Sequence, residues 1–171
     1  MLFSFRHTVE SDIVFYTECF QNEEFQYMLY GQYPLKPHQL KKYIANNDKD
    51  YKFVFSVDKN GASTIVGFSH FYYTSPDLYT YIGGIHPLYF NSGLGAYASI
   101  ASISLFLSIN NEASLTTGIY KHNTRSLKLH RAIGFSLYKE TLDKYILDLN
   151  RDTFNNPFVL NLKRRIQYRL I

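Results

Sequence analysis

Between Leu78 and Asn111 the chain has no Asp, Glu, Lys or Arg, and within that tract Leu94 to Ile109 is almost entirely apolar or small. A run this free of charge has to be covered on most of its surface, either by lipid or by the rest of a protein core. Spanning a bilayer takes about 20 apolar residues. This run is shorter, opens with Gly93 and Gly95, and contains Ser99, Ser102, Ser104 and Ser108. It therefore reads as a core helix entered through a glycine-bearing turn, with no membrane span expected. A chain of 171 residues that is 46% hydrophobic can bury such a helix in one domain and is too short for two ordinary ones.

Alternating and β-branched segments supply strands around it. Leu2 to His7 alternates as a first strand would, and Thr8 then stands as an N-cap before the acidic turn of Glu10 and Asp12, giving a helix to about Phe20. Asn22 with Glu23 and Glu24 starts a second helix, Pro34 and Pro37 break the chain, and His38 to Asn46 forms a further short helical piece in a Tyr-rich region suited to a lid. Tyr51 to Val57 and Ser63 to Tyr73 flank Asp58-Lys59-Asn60-Gly61, a hairpin signal because Asn-Gly tolerates positive φ. After the Ser75-Pro76-Asp77 turn come a strand over Leu78 to His86, the long helix from Gly93, and a strand over Ser114 to Tyr120. A helix over Asn123 to Ala132 then stops at Gly134, and Phe135 to Tyr138 pairs with Tyr145 to Leu149. Residues 1–150 make up this body, and 151–171 form a C-terminal extension of the same single domain. In the extension Leu160, Leu162, Ile166, Tyr168 and Leu170 alternate with polar residues, which predicts an added strand and admits a homo-oligomer contact.

The formal charge of +4 and pI near 9.0 suit an anionic small molecule, a nucleic acid or a membrane surface without choosing among them. The basic residues are not interleaved with a nucleic-acid recognition motif, so no nucleic acid is expected. One cysteine, Cys19, cannot form an internal disulfide, and the N-terminus lacks a signal-peptide pattern; the expected location is cytoplasmic.

Ile85-His86-Pro87-Leu88-Tyr89-Phe90-Asn91-Ser92-Gly93-Leu94-Gly95-Ala96 is a strand end followed by a turn that opens a helix. The first N–H groups of a helix lack intrahelical partners, the helix end carries about half a positive charge, and glycine lets phosphate oxygens approach the main chain. No Gly-Lys-Ser/Thr follows, which excludes a Walker loop, and the dinucleotide fingerprint lacks its third glycine. The segment resembles the acetyl-CoA pyrophosphate loop of the GNAT superfamily: Ile85 and Pro87 match its strand end, Gly93 and Gly95 its glycines, and Phe90 departs from the usual Arg or Gln. Asn123-Thr124-Arg125-Ser126-Leu127-Lys128-Leu129-His130-Arg131-Ala132-Ile133-Gly134-Phe135 resembles the helix that follows in that family, so two motifs occur in the family's order.

The resemblance implies a GNAT-type α/β (α+β) fold with a mixed, mostly antiparallel sheet of about seven strands, in the order β-α-α-β-β-β-α-β-α-β-β. It implies an N-acetyltransferase that passes an acetyl group from acetyl-CoA to an amine by direct transfer, with no metal. Cofactor contacts are expected at Ile85, Phe90, Asn91, Ser92, Gly93, Leu94, Gly95, Ala96, Asn123 and Arg125, with a Gly134-Phe135 pair beginning the next strand. Where the family commonly has a Tyr that protonates the leaving thiolate, this chain has His130, whose imidazolium could do the same. The fourth strand carries no carboxylate, so the general base falls to His86, His70, a Tyr acting through water, or Asp77. Gly83 and Gly84 either open space for the acceptor or relieve sheet packing. A peptide amine, an amino sugar and a small amine all fit the Tyr-rich flanks. The alternative is an acyl-CoA-binding sensor or scaffold of the same fold with weak or no turnover.

Overall fold

The computed structural model describes residues 1–30, 37–45, 48–59 and 62–171. The elements run β1 (Leu2–His7), α1 (Ile13–Gln21), α2 (Glu23–Tyr30), α3 (Pro37–Ile44), β2 (Tyr51–Lys59), β3 (Ala62–Ser75), β4 (Leu78–Ile85), α4 (Leu94–Ile109), β5 (Ser114–Tyr120), α5 (Thr124–Ile133), β6 (Ser136–Glu140), β7 (Lys144–Leu149), α6 (Arg151–Phe154), α7 (Pro157–Lys163) and β8 (Gln167–Leu170). They form one eight-stranded sheet in the order β6-β7-β5-β4-β3-β2-β1-β8. Neighbours are antiparallel except β4 with β5 and β1 with β8.

Alternation along the strands sends side chains to two cores. Phe53, Phe55, Phe71 and Tyr81 meet α4, where Phe106 stacks on Phe71 at 4.1 Å between ring centroids. Val54 and Phe68 meet Tyr16, Cys19, Phe20 and Phe25 of α1 and α2 on the opposite face. Within the uncharged tract the centre of α4, Ala98 to Leu107, is mostly buried because the sheet lies beneath it and α7 with β8 against its flank, while Leu88, Asn91, Ser92 and Ile109 stay exposed. Among the described residues no helix is long and apolar enough to cross a membrane.

Three expectations are revised. The Thr8 N–H is still held by the Lys52 carbonyl, so the first helical turn begins after Val9, and Asp12 rather than Thr8 caps it by accepting the Val9 N–H at 2.8 Å. Arg6 grips the same carboxylate at 2.6 and 2.8 Å. The extension is not one long strand: Asn156 accepts the Val159 N–H at 3.1 Å with Pro157 at the first helical position, so helix α7 replaces the alternating run and only Gln167–Leu170 extends the sheet. This β8 is the eighth strand where about seven were expected. The Asn60-Gly61 turn lies outside the described residues.

Phe154, Val159 and Ile166 bury the extension in the α4 core, and Asn156 Nδ2 also donates to the Ile133 carbonyl at 2.9 Å. Asn156→Ala is expected to cost about 1–2 kcal/mol in urea unfolding, because it removes a cap and an inter-helix bond together. A change within experimental error would show that the extension is only loosely attached.

Candidate functional site

The sheet opens where its two halves meet. β4 and β5 pair only from Leu78 to Thr80 against Ser114 to Thr116, after which Tyr81–Ile85 and Thr117–Tyr120 diverge. A cavity of about 370 Å³ fills the wedge between them. One end lies on the turn before α4, the flank on α5, and the roof on Glu24, Phe25, Met28 and Leu29 of α2.

The turn is built by two left-handed residues, Asn91 at φ 63° and Gly93 at φ 79°. Asn accepts this region more readily than most side chains, and Gly at no steric cost. A Cβ on Gly93 would meet nothing within 4 Å, and one on Gly95 would meet only Ile85 at 3.7 Å, so space is open over the start of α4. The first amides of a helix lack upstream helical carbonyls; here Ser92 Oγ takes that of Leu94 at 3.2 Å and the Gly93 carbonyl takes that of Ala96 at 3.2 Å. Of the residues expected as cofactor contacts, Ile85, Phe90, Asn91, Gly93, Gly95, Ala96, Asn123 and Arg125 line the cavity. Ser92 and Leu94 do not: Ser92 points its hydroxyl to the Tyr89 carbonyl at 2.6 Å, and Leu94 turns into the core. Arg125 is the one Lys or Arg in the lining among the described residues, whereas Lys121 is paired with Glu140 at 2.6 Å.

Phe90 has a packing reason for standing where a polar residue was expected. Its ring stacks on Phe25 at 6.3 Å and ties the turn to α2. The other end of α2 is fastened to the start of α5: Asn123 Nδ2 donates to the Met28 carbonyl at 3.0 Å while its Oδ1 accepts the Ser126 N–H at 3.1 Å, and His122 Nε2 donates to the Tyr27 carbonyl at 3.0 Å. Asn123 is thus both the helix cap and a bridge to the roof.

At the vertex of the wedge the lining includes Tyr81, Ser99, Ser102, Ser126 and His130. His130 Nδ1 lies 2.8 Å from the Ser126 carbonyl oxygen, which can only accept, so Nδ1 carries the hydrogen. Burial lowers the His130 pKa to about 4, and the ring is neutral near pH 7 rather than the imidazolium anticipated for a thiolate acid. His86 lies outside the cavity lining; its Nδ1 accepts the Leu88 N–H at 3.3 Å and its Nε2 is 3.6 Å from Glu18. His70 is sealed among aromatic rings, with Tyr16 Oη at 2.7 Å and Tyr72 Oη at 3.0 Å, and burial holds its pKa well below the usual value. Asp77 sits in the exposed turn between β3 and β4. None of these three residues borders the cavity; of the base candidates only tyrosine does, as Tyr81 and Tyr89. The cavity's one carboxylate among the described residues is Glu24, which the sequence marked only as part of an acidic helix start.

The two glycines of β4 serve close packing rather than empty space: a Cβ on Gly83 would fall 2.4 Å from Tyr81 Oη, and one on Gly84 2.7 Å from Phe68. Cys19 is fully buried in α1, its thiol pushed up to about 12, and is not in the lining. Among the described residues no group of three or more His, Cys, Asp or Glu could hold a metal ion.

Comparison with known proteins places this wedge in a family. The model of the acetyltransferase (GNAT) domain matches residues 3–136. No curated protein matches the sequence. Among solved structures, spermidine N-acetyltransferase from Vibrio cholerae in complex with CoA and spermine superposes with a TM-score of 0.76 at 14% identity, covering 90% of this chain and 98% of that one. A domain from Methanocaldococcus jannaschii gives 0.75 at 18% identity, covering 86% and 97%. An aminoglycoside acetyltransferase in complex with coenzyme A gives 0.71 at 15%, covering 89% and 96%. These likenesses agree in fold, and the match over most of the sequence settles the assignment: the chain belongs to the GNAT acetyltransferases.

Proposed function

We propose that this chain transfers the acetyl group of acetyl-CoA directly to an amine within the β4–β5 wedge. The observation that carries the reading is the parting of β4 from β5 onto the open glycine start of α4, a cleft with anion-binding amides at one end and an apolar interior. The amides at Gly93 and Gly95 would hold the pyrophosphate, with Arg125 adding charge, while the roof on α2 covers the pantetheine arm. Bound there, acetyl-CoA supplies an activated acyl thioester. The β4 amides beyond Thr80 that face away from β3 have no β5 ladder partner and are available to polarise its carbonyl oxygen near Ile85. Glu24 at the cavity wall is the residue suited to draw in a cationic amine and, directly or through water, take its proton. His130 contributes as a neutral imidazole. Solved relatives hold CoA together with spermine or kanamycin, which supports polyamines and amino sugars as the first acceptors to try.

The second reading, an acyl-CoA-binding protein with little turnover, is favoured by the engagement of Asn123 with the roof and by the neutrality of His130. Both readings require the cofactor. Acetyl-CoA and CoA at about 100 times their dissociation constants are expected to add about 2.7 kcal/mol to thermal stability, with no shift from ATP. Gly95→Glu should fold, since its Cβ makes only an ordinary contact, yet lose the shift because a carboxylate enters the phosphate cradle. Absence of any shift in the parent protein would sink both readings. CoA release with spermine or kanamycin would then separate enzyme from sensor.

A further inference from the structure

A thiolate leaving an acyl group in a desolvated cleft needs a hydrogen-bond donor at the sulfur, since an ordinary thiol titrates near ~8.5 and its anion is poorly stabilised away from water. The vertex of the wedge offers few groups that can give one. His130 directs its Nδ1–H to Ser126, which leaves its other nitrogen an acceptor. Tyr81 is differently placed. It is the first residue of β4 beyond the last pair with β5, so its backbone stands at the point where the strands part. Its side chain folds forward over the next inward-facing position, Gly83, where any Cβ would lie 2.4 Å from the hydroxyl oxygen and 2.9 Å from Cζ. The ring lies 6.1 Å from that of His130, and Ser99 of α4 is a polar neighbour of the phenol. Tyr81, Gly83, Ser99 and His130 all border the cavity.

We propose that the Tyr81 hydroxyl is the group that donates a hydrogen bond to the departing sulfur, with Gly83 and Ser99 as the residues that position it. The inference rests on the acetyl-CoA reading above and assigns a catalytic residue within it. The amine nitrogen forms its bond to the acyl carbon as the C–S bond breaks. The C–S electron pair passes to sulfur, the nitrogen gives up one proton to the base or solvent, and the thiolate takes a proton from water after release. The phenol keeps its own proton throughout, as suits a buried hydroxyl whose pKa desolvation raises to about 12. The glycine in β4 then has a chemical purpose: only a residue without a side chain leaves room for the phenol to lean toward the cavity.

The test needs no knowledge of the acceptor. CoA and desulfo-CoA are titrated into the full chain by calorimetry from about pH 6.5 to about pH 9.5, a window that brackets the thiol's own ionisation near ~8.5. In the parent protein the preference for CoA over desulfo-CoA should grow by about 10-fold as the thiol ionises, the scale of one hydrogen bond to a charged group. Tyr81→Phe should flatten that rise while leaving desulfo-CoA affinity unchanged, and Ser99→Ala should reduce it. Gly83→Ala, whose methyl displaces the phenol, should mimic Tyr81→Phe and keeps the test alive if that variant does not fold. A flat preference in the parent protein, or an undiminished rise in these variants, overturns the assignment. Failure of the parent protein to bind either molecule would overturn the cofactor reading instead, a distinct result.

Discussion

Gly134→Ala is expected to destabilise the protein by roughly 3–5 kcal/mol, the sum of a left-handed backbone forced on an L-residue and a collision that cannot be relieved locally. Gly134 ends α5 at φ 114°, with its N–H shared between the His130 and Arg131 carbonyls at 3.1 Å each, and the Phe135 N–H returns to His130 at 3.0 Å. An added Cβ would lie 2.1 Å from the Thr153 carbonyl oxygen and 2.7 Å from its carbon. Both are backbone atoms, so no side-chain rotation makes room; either α5 or α6 has to move. For a chain of this length the loss corresponds to a melting point lower by about 10 °C. Urea unfolding checks it. A loss below about 1 kcal/mol would show that the α5–α6 junction yields freely, contrary to the close packing seen there.

That glycine was legible from sequence as a helix stop, but the severity of its environment was not, because Thr153 reaches it through the extension that the alternating pattern disguised as a strand. The same extension explains the uncharged tract. Buried serines and small residues around α4 pointed to a core helix, and the sheet accounts for one side of it; α7 and β8 account for the flank, and neither is announced by the 3.6-residue periodicity of α4 itself. Local chemistry was the readable part: Asn22 accepts the Phe25 N–H at 2.9 Å as a helix cap, and Asn123 and Gly134 bound α5 as anticipated. Thr8 failed as a cap because a long-range bond to Lys52 already held it in the sheet.

The site divides in the same way. The glycine turn, Asn123 and Arg125 could be placed at the cavity because each sits in a motif at a helix start, the turn before α4 and the two side chains at α5. Glu24 could not, since it reaches the cavity by way of a helix roofing the wedge, and nothing in Asn22-Glu23-Glu24 distinguishes a roof from a solvated first turn. Phe90 looked like a missing phosphate contact; its stack on Phe25 shows that the position has been given over to holding the roof. Gly83 and Tyr81 are two residues apart on one strand, so their shared face was predictable, but the fold of the phenol over the glycine depends on α4 pressing from behind.

Acid should destabilise this protein steeply between about pH 6.5 and pH 4, and His130 should account for about 3 kcal/mol of the loss. In the folded chain burial holds its pKa to about 4, against 6.5 for the free side chain. Over that window the unfolded chain binds a proton that the folded one refuses. Stability therefore rises with pH, is complete above the unfolded value, and is lost as pH falls toward the folded one. His70, also depressed by burial and further by Lys52, acts with the same sign, so two protons are set against the fold. His130→Gln removes one of them while keeping a polar side chain beside the Ser126 carbonyl. Its stability at pH 7 should fall modestly, and the difference between pH 7 and pH 4.5 in urea unfolding should shrink by about 2 to 3 kcal/mol relative to the parent protein. An unchanged difference would mean that His130 is charged or solvated in the folded state, and the neutral imidazole at the vertex of the wedge would have to be abandoned. If the difference shrinks as expected, His130 is fixed as a neutral imidazole near neutral pH, and the hydrogen bond needed by the leaving sulfur has to come from elsewhere in the wedge.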